Sequence, residues 1–258
     1  MTLRFDYDYE DISKSLNKIK LNKNSVIFLT SSIGMLGHCK NARNIDKLSE
    51  NYFQSLKKYS QKNSSTIIFP TYSYNEYKYK NIFDIKKTSS KLGYFSNFIL
   101  KKKGVLRSDD PFVSVAGFGP QIKKIIGNLS NQSYGPGCLF EKLLEFNSYC
   151  INLGLGSNWI PFIHYLDYLN NVKFRFNKKF KIKIINNKLH KDVIWKYYCQ
   201  YKRIKKISDG YKLGLIAEKK KIYKSINLGR GKIFYCSYNK LFDMSKKMTK
   251  KNPKLTLV

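Results

Sequence analysis

A partly parallel α/β fold, with a central sheet flanked by helices and an antiparallel C-terminal subregion, is what this 258-residue sequence predicts. Two short apolar runs, Ser25-Val-Ile-Phe-Leu-Thr30 and Ser65-Thr-Ile-Ile-Phe69, bracket a segment of helical period, which is the pattern of a βαβ unit. After Phe180 basic and apolar residues alternate, as in Lys181-Ile-Lys-Ile-Ile185 and Lys221-Ile-Tyr-Lys-Ser-Ile226, the pattern of antiparallel strands with one wet face. A hydrophobic fraction of 42% with 15% aromatics supplies the apolar surface a core needs, so the chain is globular and not a disordered basic tail.

The elements follow in order. Up to about Asn24, Ile12, Leu16, Ile19 and Leu21 recur at helical spacing after acidic residues that suit a helix start. The first buried strand then runs out into Ser31-Ser-Ile-Gly-Met-Leu-Gly37. A helix carries Leu48, Tyr52, Phe53 and Leu56, and Pro70 closes the second strand. From Tyr72 to Arg107 the chain is polar and aromatic without a clear period, a long connection of the kind that is usually functional. Phe112 to Gly119 and Cys150-Ile-Asn-Leu-Gly154 read as further strands, and Trp195 to Tyr201 as a helical piece. With no internal repeat and no Pro/Ser-rich linker, residues 1–258 form a single domain, of which 1–180 is the core and 181–258 the antiparallel subregion.

The charge is extreme, 49 Lys+Arg against 17 Asp+Glu for a net +32, which invites a nucleic-acid reading. Only six of the basic residues are Arg, however, and nucleic-acid readers lean on Arg for bidentate contacts. Lys, Asn, Ile, Tyr and Phe are enriched together, as an AT-rich genome would produce, so a lysine-coated surface is favoured and no nucleic-acid partner is expected. A milder role for the field is to gather polyanionic small molecules such as nucleotides or coenzyme A. The acidic start Asp6-Tyr-Asp-Tyr-Glu-Asp11 does not read as a signal peptide, and no run approaches the roughly 18 apolar residues of a membrane span, so no membrane insertion is expected. Cys39, Cys138, Cys150, Cys199 and Cys236 are odd in number, scattered and without a C-x-x-C pair, pointing to a reducing cytoplasm and to no structural zinc.

Three histidines make a short acid–base inventory. His38 and His190 lie among polar residues beside Lys and read as surface groups. His164 follows a strand and a glycine turn in Ile160-Pro-Phe-Ile-His-Tyr-Leu-Asp167, where Pro161 suits a helix start and Asp167 falls three residues on, on the same helix face. A carboxylate beside an imidazole fixes its tautomer and raises its basicity, as a general base requires; a partly buried, hydrogen-bonded helix-start histidine has the same spacing. The Ser31-Ser32 turn with Gly34 and Gly37 offers small residues and backbone N–H groups at a strand end, a ready anion or oxyanion site. In Leu106-Arg-Ser-Asp-Asp-Pro-Phe-Val-Ser-Val115, Arg107 either pairs with Asp109 or Asp110 to pin a loop or reaches a ligand phosphate. No G-x-S-x-G, GxxxxGK[ST] or GxGxxG motif is present, which removes the common hydrolase, P-loop and dinucleotide readings.

Placed in order, Phe28-Leu-Thr-Ser-Ser-Ile-Gly-Met-Leu-Gly37, Ile68-Phe-Pro-Thr-Tyr-Ser73, Thr88-Ser-Ser-Lys-Leu-Gly93, Leu106 to Ala116, Tyr134-Gly135, Leu153-Gly154 and Phe162 to Asp167 resemble the aminoglycoside 3-N-acetyltransferase family, whose fold is not the GNAT type. The resemblance is close over about Ser25 to Phe180 and looser beyond. It implies acetyl-CoA or another acyl-CoA as co-substrate, no metal, a small-molecule amine as acceptor, and leaves room for a homodimer. It assigns the base to His164, with Asp167 where the family usually has Glu, and coenzyme contacts to Ser31, Ser32, Gly34, Leu36, Gly37, Arg107, Ser108, Ser114 and Val115. None of the cysteines stands at a nucleophile position, so transfer is expected to be direct, its oxyanion met by backbone N–H groups at the Ser31-Ser32 turn.

Asp110 stands where many antibiotic-modifying members have His. Together with Pro-Thr-Tyr72-Ser and Phe174-Arg-Phe176, it resembles members found beside cell-surface polysaccharide genes, which acylate amino sugars, often nucleotide-linked. Tyr72, Asp110 and Arg175 are the substrate-side candidates by this likeness, and the positive field mildly favours an anionic substrate over a polycationic aminoglycoside. The rivals are an aminoglycoside acetyltransferase conferring resistance, a nucleic-acid-binding protein stacking bases on Tyr72 to Lys80, and a family member that has lost catalysis.

Overall fold

The computed structural model describes residues 4–74, 81–146, 148–206 and 208–257. Asp8 starts helix α1 (Tyr9–Asn17) with a capping box, its side chain taking the Asp11 N–H while the Asp11 side chain takes the Asp8 N–H. The helix stops well before Asn24. The apolar run that follows is β1 (Val26–Ser31), whose first five residues are all buried. Helix α2 (Ile45–Asn63), capped by Asn44, leads to β2 (Thr66–Pro70), which lies parallel to β1 with Phe28 opposite Ile68. Burial along the whole strand is what a sheet covered on both faces demands.

The long connection carries β3 (Ile82–Asp84), α3 (Tyr94–Leu100) and β4 (Leu106–Arg107) before β5 (Val115–Phe118). Short helices α4 (Ile122–Ile126) and α5 (Leu139–Lys142) precede β6 (Ser148–Leu153), and α6 (Ile163–Leu169) follows it. Then come β7 (Arg175–Asn186), β8 (Leu189–Gln200), α7 (Tyr211–Lys219), β9 (Lys224–Leu228), β10 (Gly231–Ser237) and α8 (Tyr238–Lys251). Among the described residues the main sheet runs β4-β5-β2-β1-β6-β10-β9, with β2, β1 and β6 parallel and the pairings outside them antiparallel; β3-β7-β8 form a second sheet. Strands of the last third therefore divide between the two sheets.

Alternation along β1 supplies two cores. Ile27 and Leu29 face the side covered by α1 and α2, with Leu16, Tyr52 and Leu56; Val26 and Phe28 join the cluster of Phe162, Leu166, Tyr238 and Phe242 from α6, its N-cap and α8.

Trp195 to Tyr201, expected as helical, is instead strand up to Gln200. β8 pairs antiparallel with β7, and Val193, Trp195 and Tyr197 are buried while Ile194 and Lys196 are exposed, a period of two that only a strand satisfies. The base-stacking rival loses its first residue, since Tyr72 is buried; its remainder, 75–80, lies outside the described residues. No described helix is long and apolar enough to cross a membrane.

Candidate active site

β1 is followed outward by β2 on one side and, later in the chain, by β6 on the other, which opens a crevice at its carboxyl end. A cavity of about 230 Å³ lies there, between Ser31, Ser32, Pro70, Leu92, Leu155 and Trp159. Its wall is apolar with a few hydroxyls, and the buried Trp159 Nε1 has no acceptor among the described residues. A ligand with an apolar arm and a few polar groups fits this wall, as the pantetheine arm of coenzyme A would. No charged side chain is in the wall, so the +32 average is not concentrated at this point.

Of the predicted coenzyme contacts, Ser31 and Ser32 are in this wall. Gly34 faces open space, Leu36 is fully buried, and Gly37 backs onto Asp6. The Ser32 N–H donates to the Leu153 carbonyl at 2.8 Å, so that one amide of the turn is not available to an oxyanion. Gly154 then turns the chain across the end of β1 with φ +68°, and a Cβ on it would stand 2.5 Å from the Ser32 carbonyl oxygen. Gly154→Ala should lower unfolding free energy by about 1–3 kcal/mol in urea titrations, because both the torsion and the close backbone approach exclude a side chain.

Arg107, Ser108, Ser114 and Val115 are not brought to that wall. Arg107 is buried over the Phe83 ring and bonds neither Asp109 nor Asp110: Nε donates to Ser114 Oγ (3.1 Å), Nη1 to the Ile85 (3.2 Å) and Thr88 (2.5 Å) carbonyls, and Nη2 to the Thr71 carbonyl (2.9 Å). Burial draws its pKa down to about 10. The reason is geometric: the β4–β5 pairing places Arg107 opposite Ala116, under the long connection whose carbonyls it collects, and away from Asp109 and Asp110. Ser108 brackets Val115, donating its N–H to the Val115 carbonyl and accepting the Val115 N–H, and Ser114 Oγ donates to the Thr71 carbonyl.

Asp110 is also interior. Its Oδ1 accepts from the Phe112 N–H, the Val113 N–H and Ser133 Oγ at 2.8–2.9 Å, fastening the loop instead of lying open. Burial raises its pKa to about 6, against the pull of those donors. A carboxyl whose folded pKa lies above its unfolded value adds most to stability while protonated. The Asp110 contribution should therefore be full below about pH 4 and be lost as pH rises through about 6, and Asp110→Asn should flatten that slope in unfolding curves.

His164, Asp167 and Arg175 do come together. Pro161 and the Phe162 N-cap start α6, whose pitch puts Asp167 one turn beyond His164. The chain then bends so that Arg175, first residue of β7, folds back beneath the helix. Arg175 Nε donates to Asp167 Oδ2 at 2.8 Å, Nη1 to the Tyr198 carbonyl at 3.1 Å, and Nη2 reaches His164 Nδ1 at 2.8 Å. His164 Nδ1 is 3.5 Å from Asp167 Oδ2. Asp167 further accepts from Ser208 Oγ (3.0 Å) and Thr256 Oγ1 (2.7 Å). Burial would raise its pKa, but His164, the Arg175 charge and the Thr256 hydroxyl outweigh it and hold the carboxyl below the usual range. Burial and then the Arg175 cation hold the His164 pKa below the ordinary histidine value, against the Asp167 carboxylate. Of the three, only the His164 side chain keeps appreciable exposure, 27%, against 5% for Arg175 and none for Asp167. Arg175, expected on the substrate side, is thus a buried support of the His–Asp pair.

The Tyr134 ring stands edge-on to the imidazole with centroids 5.5 Å apart, and is itself packed on Tyr197 and Phe140. Tyr72 meets Tyr74 edge-on at 5.8 Å. Sequence reasoning named Tyr134 only inside a motif and missed Ser208 and Thr256, which no local spacing connects to Asp167. Trp159 could have been found: an indole in a glycine-rich turn after a strand is a poor place to hide apolar surface.

The family model for "Aminoglycoside 3-N-acetyltransferase" matches residues 29–250. A search of curated protein sequences found no match. Among solved structures, the apoenzyme of aminoglycoside acetyltransferase AAC(3)-IVa superposes with a TM-score of 0.75 at 15% identity over 99% of this chain and 93% of its own. AAC-IIIb, solved with CoASH, gives 0.78 at 12% over 95% and 97%, and YokD from Bacillus subtilis 0.74 at 17% over 95% and 99%. The mixed sheet, the strand-end cavity and the helix-borne histidine thus accompany a family match over most of the sequence, and the chain belongs to the aminoglycoside 3-N-acetyltransferase family, N-acyltransferases that use acetyl-CoA.

Proposed function

We propose that this chain transfers an acyl group from acyl-CoA to the amine of an amino sugar carried on a nucleotide, in the cytoplasm, with His164 as the base. The observation that carries the reading is the partly exposed imidazole of His164, gripped on its Nδ1 side by the buried Arg175–Asp167 pair, so that Nε2 is the nitrogen left for a ligand. The amine nitrogen attacks the thioester carbonyl carbon, His164 Nε2 takes the proton that the nitrogen sheds, and collapse of the tetrahedral intermediate breaks the C–S bond. The departing thiolate then recovers a proton from the imidazolium. Ser31, Ser32 and Trp159 would hold the thioester arm in the strand-end cavity, and Tyr134 would flank the sugar.

Two observations support an anionic acceptor. The net charge is +32, and the Asp110 carboxyl, which a polycation would seek, is turned inward onto Phe112, Val113 and Ser133. Acetyl-CoA consumption measured against nucleotide-linked amino sugars and a panel of aminoglycosides tests this; turnover with aminoglycosides alone would replace the reading by the resistance enzyme. That second reading is favoured by structures of the same fold that hold a gentamicin and sisomicin. Ser31→Phe should fill the cavity and weaken acetyl-CoA binding by about tenfold or more in titration calorimetry, with the fold intact.

A further inference from the structure

The imidazole of His164 can serve an amine at Nε2 only if its one proton sits on Nδ1. A guanidinium has five N–H donors and no acceptor, so the 2.8 Å contact from Arg175 Nη2 is a hydrogen bond only if Nδ1 is bare. The neutral ring then carries its proton on Nε2, where it blocks the nitrogen that would act as base. Asp167 offers the opposite bond: its Oδ2 would accept a proton from Nδ1, but it stands 3.5 Å away and is already engaged by Arg175 Nε at 2.8 Å and Ser208 Oγ at 3.0 Å.

We infer that Arg175 is a positioning residue that fixes the resting tautomer of His164 as Nε2–H, and that base competence requires Nδ1 to pass from Arg175 to Asp167. The inference rests on the proposed base role of His164 only for its catalytic meaning, since the tautomer belongs to the free enzyme. Arg175 is well held for this task. Its other nitrogens bond Asp167 and the Tyr198 carbonyl, its side chain is 5% exposed, and it begins the strand β7 that is zipped to β8, with Arg175 itself opposite Gln200. The guanidinium therefore acts twice. It keeps the ring neutral, since an imidazolium beside it is repelled, and it selects which nitrogen of the neutral ring carries the proton. The groups described around the ring are Asp167 on its own helix, Arg175 from β7 and Tyr134 from the segment between α4 and α5.

Nitrogen-15 spectra of histidine-labelled enzyme without substrate, in mildly alkaline buffer, read the tautomer directly, and loss of a signal set in His164→Ala assigns the ring. The wild type should show a pyridine-type Nδ1 and a pyrrole-type Nε2. Arg175→Met leaves Asp167 as the partner for Nδ1 and should reverse the two. Where Arg175→Met does not fold, Arg175→Lys substitutes for it: the shorter ammonium stays on Asp167, releases Nδ1 and gives the same reversal. A pyrrole-type Nδ1 in the wild type, or an unchanged pattern in the folded variant, overturns the inference. Absence of turnover with every acceptor would instead strike the proposed function and leave the spectra as they are.

Discussion

His164→Ala should lower kcat/KM for acyl transfer by about 10²- to 10⁴-fold, the usual contribution of a positioned general base, while leaving acetyl-CoA affinity nearly unchanged. The imidazole is the partly exposed end of an otherwise buried constellation, and removing it leaves the strand-end cavity of Ser31, Ser32 and Trp159 intact. Thiol release from acetyl-CoA gives the first quantity and calorimetry the second. Equal turnover in variant and wild type would end the base assignment, and a matching loss of coenzyme affinity would mean that the ring supports the cavity.

Asp167→Ala should be the most destabilising single change at the site, by about 3–5 kcal/mol, because it leaves the Arg175 cation buried without its counter-charge. Asp167→Asn keeps one acceptor oxygen, enough for Thr256 on Oδ1 or for Arg175 and Ser208 on Oδ2 but not for both sides, and should cost less. The pH dependence carries the same signature. A carboxyl held below its ordinary pKa stabilises the fold fully above the unfolded value of about 4, and that stability is lost as pH falls through the lower folded value. Urea unfolding at a series of acid pH values should show a steep decline in the wild type and a shallower one in Asp167→Asn. Identical slopes would mean that the pair contributes nothing to acid sensitivity.

How far the site can be read from the chain depends on how local its cause is. β1, β2 and β6 are legible because a strand covered on both faces must be apolar throughout, and Val26–Leu29, Ile67–Phe69 and Cys150–Leu153 are buried along their length. The His164–Asp167 pairing is legible because helical pitch alone puts the two on one face. Trp195 misleads although its signal is present, since the alternation of Val193, Trp195 and Tyr197 with exposed neighbours is a strand pattern masked by aromatic bulk. Arg107 misleads for a different reason. Nothing in its neighbourhood reveals that the Ile85, Thr88 and Thr71 carbonyls, 19 to 36 residues away, converge on it. Asn170-Asn171, the latter at φ +44°, announces that α6 ends in a turn, but nothing local says that Arg175 then folds back under the helix, and motif likeness alone points it outward.

The Thr256 hydroxyl that meets Asp167 across 89 residues has a bearing on how this enzyme is made. During synthesis α6 emerges with a carboxylate destined for burial, and the donor that helps hold it leaves the ribosome long afterwards. Until that segment docks, the pair stays open to water, so a nascent chain with an otherwise complete parallel sheet would still lack a settled active site. Contacts of such long sequence separation form late, because the chain between them must first be ordered. Activity should therefore lag behind burial of Trp195 in refolding experiments, and clipping the chain after Lys251, which removes Thr256, should lower the activity finally reached.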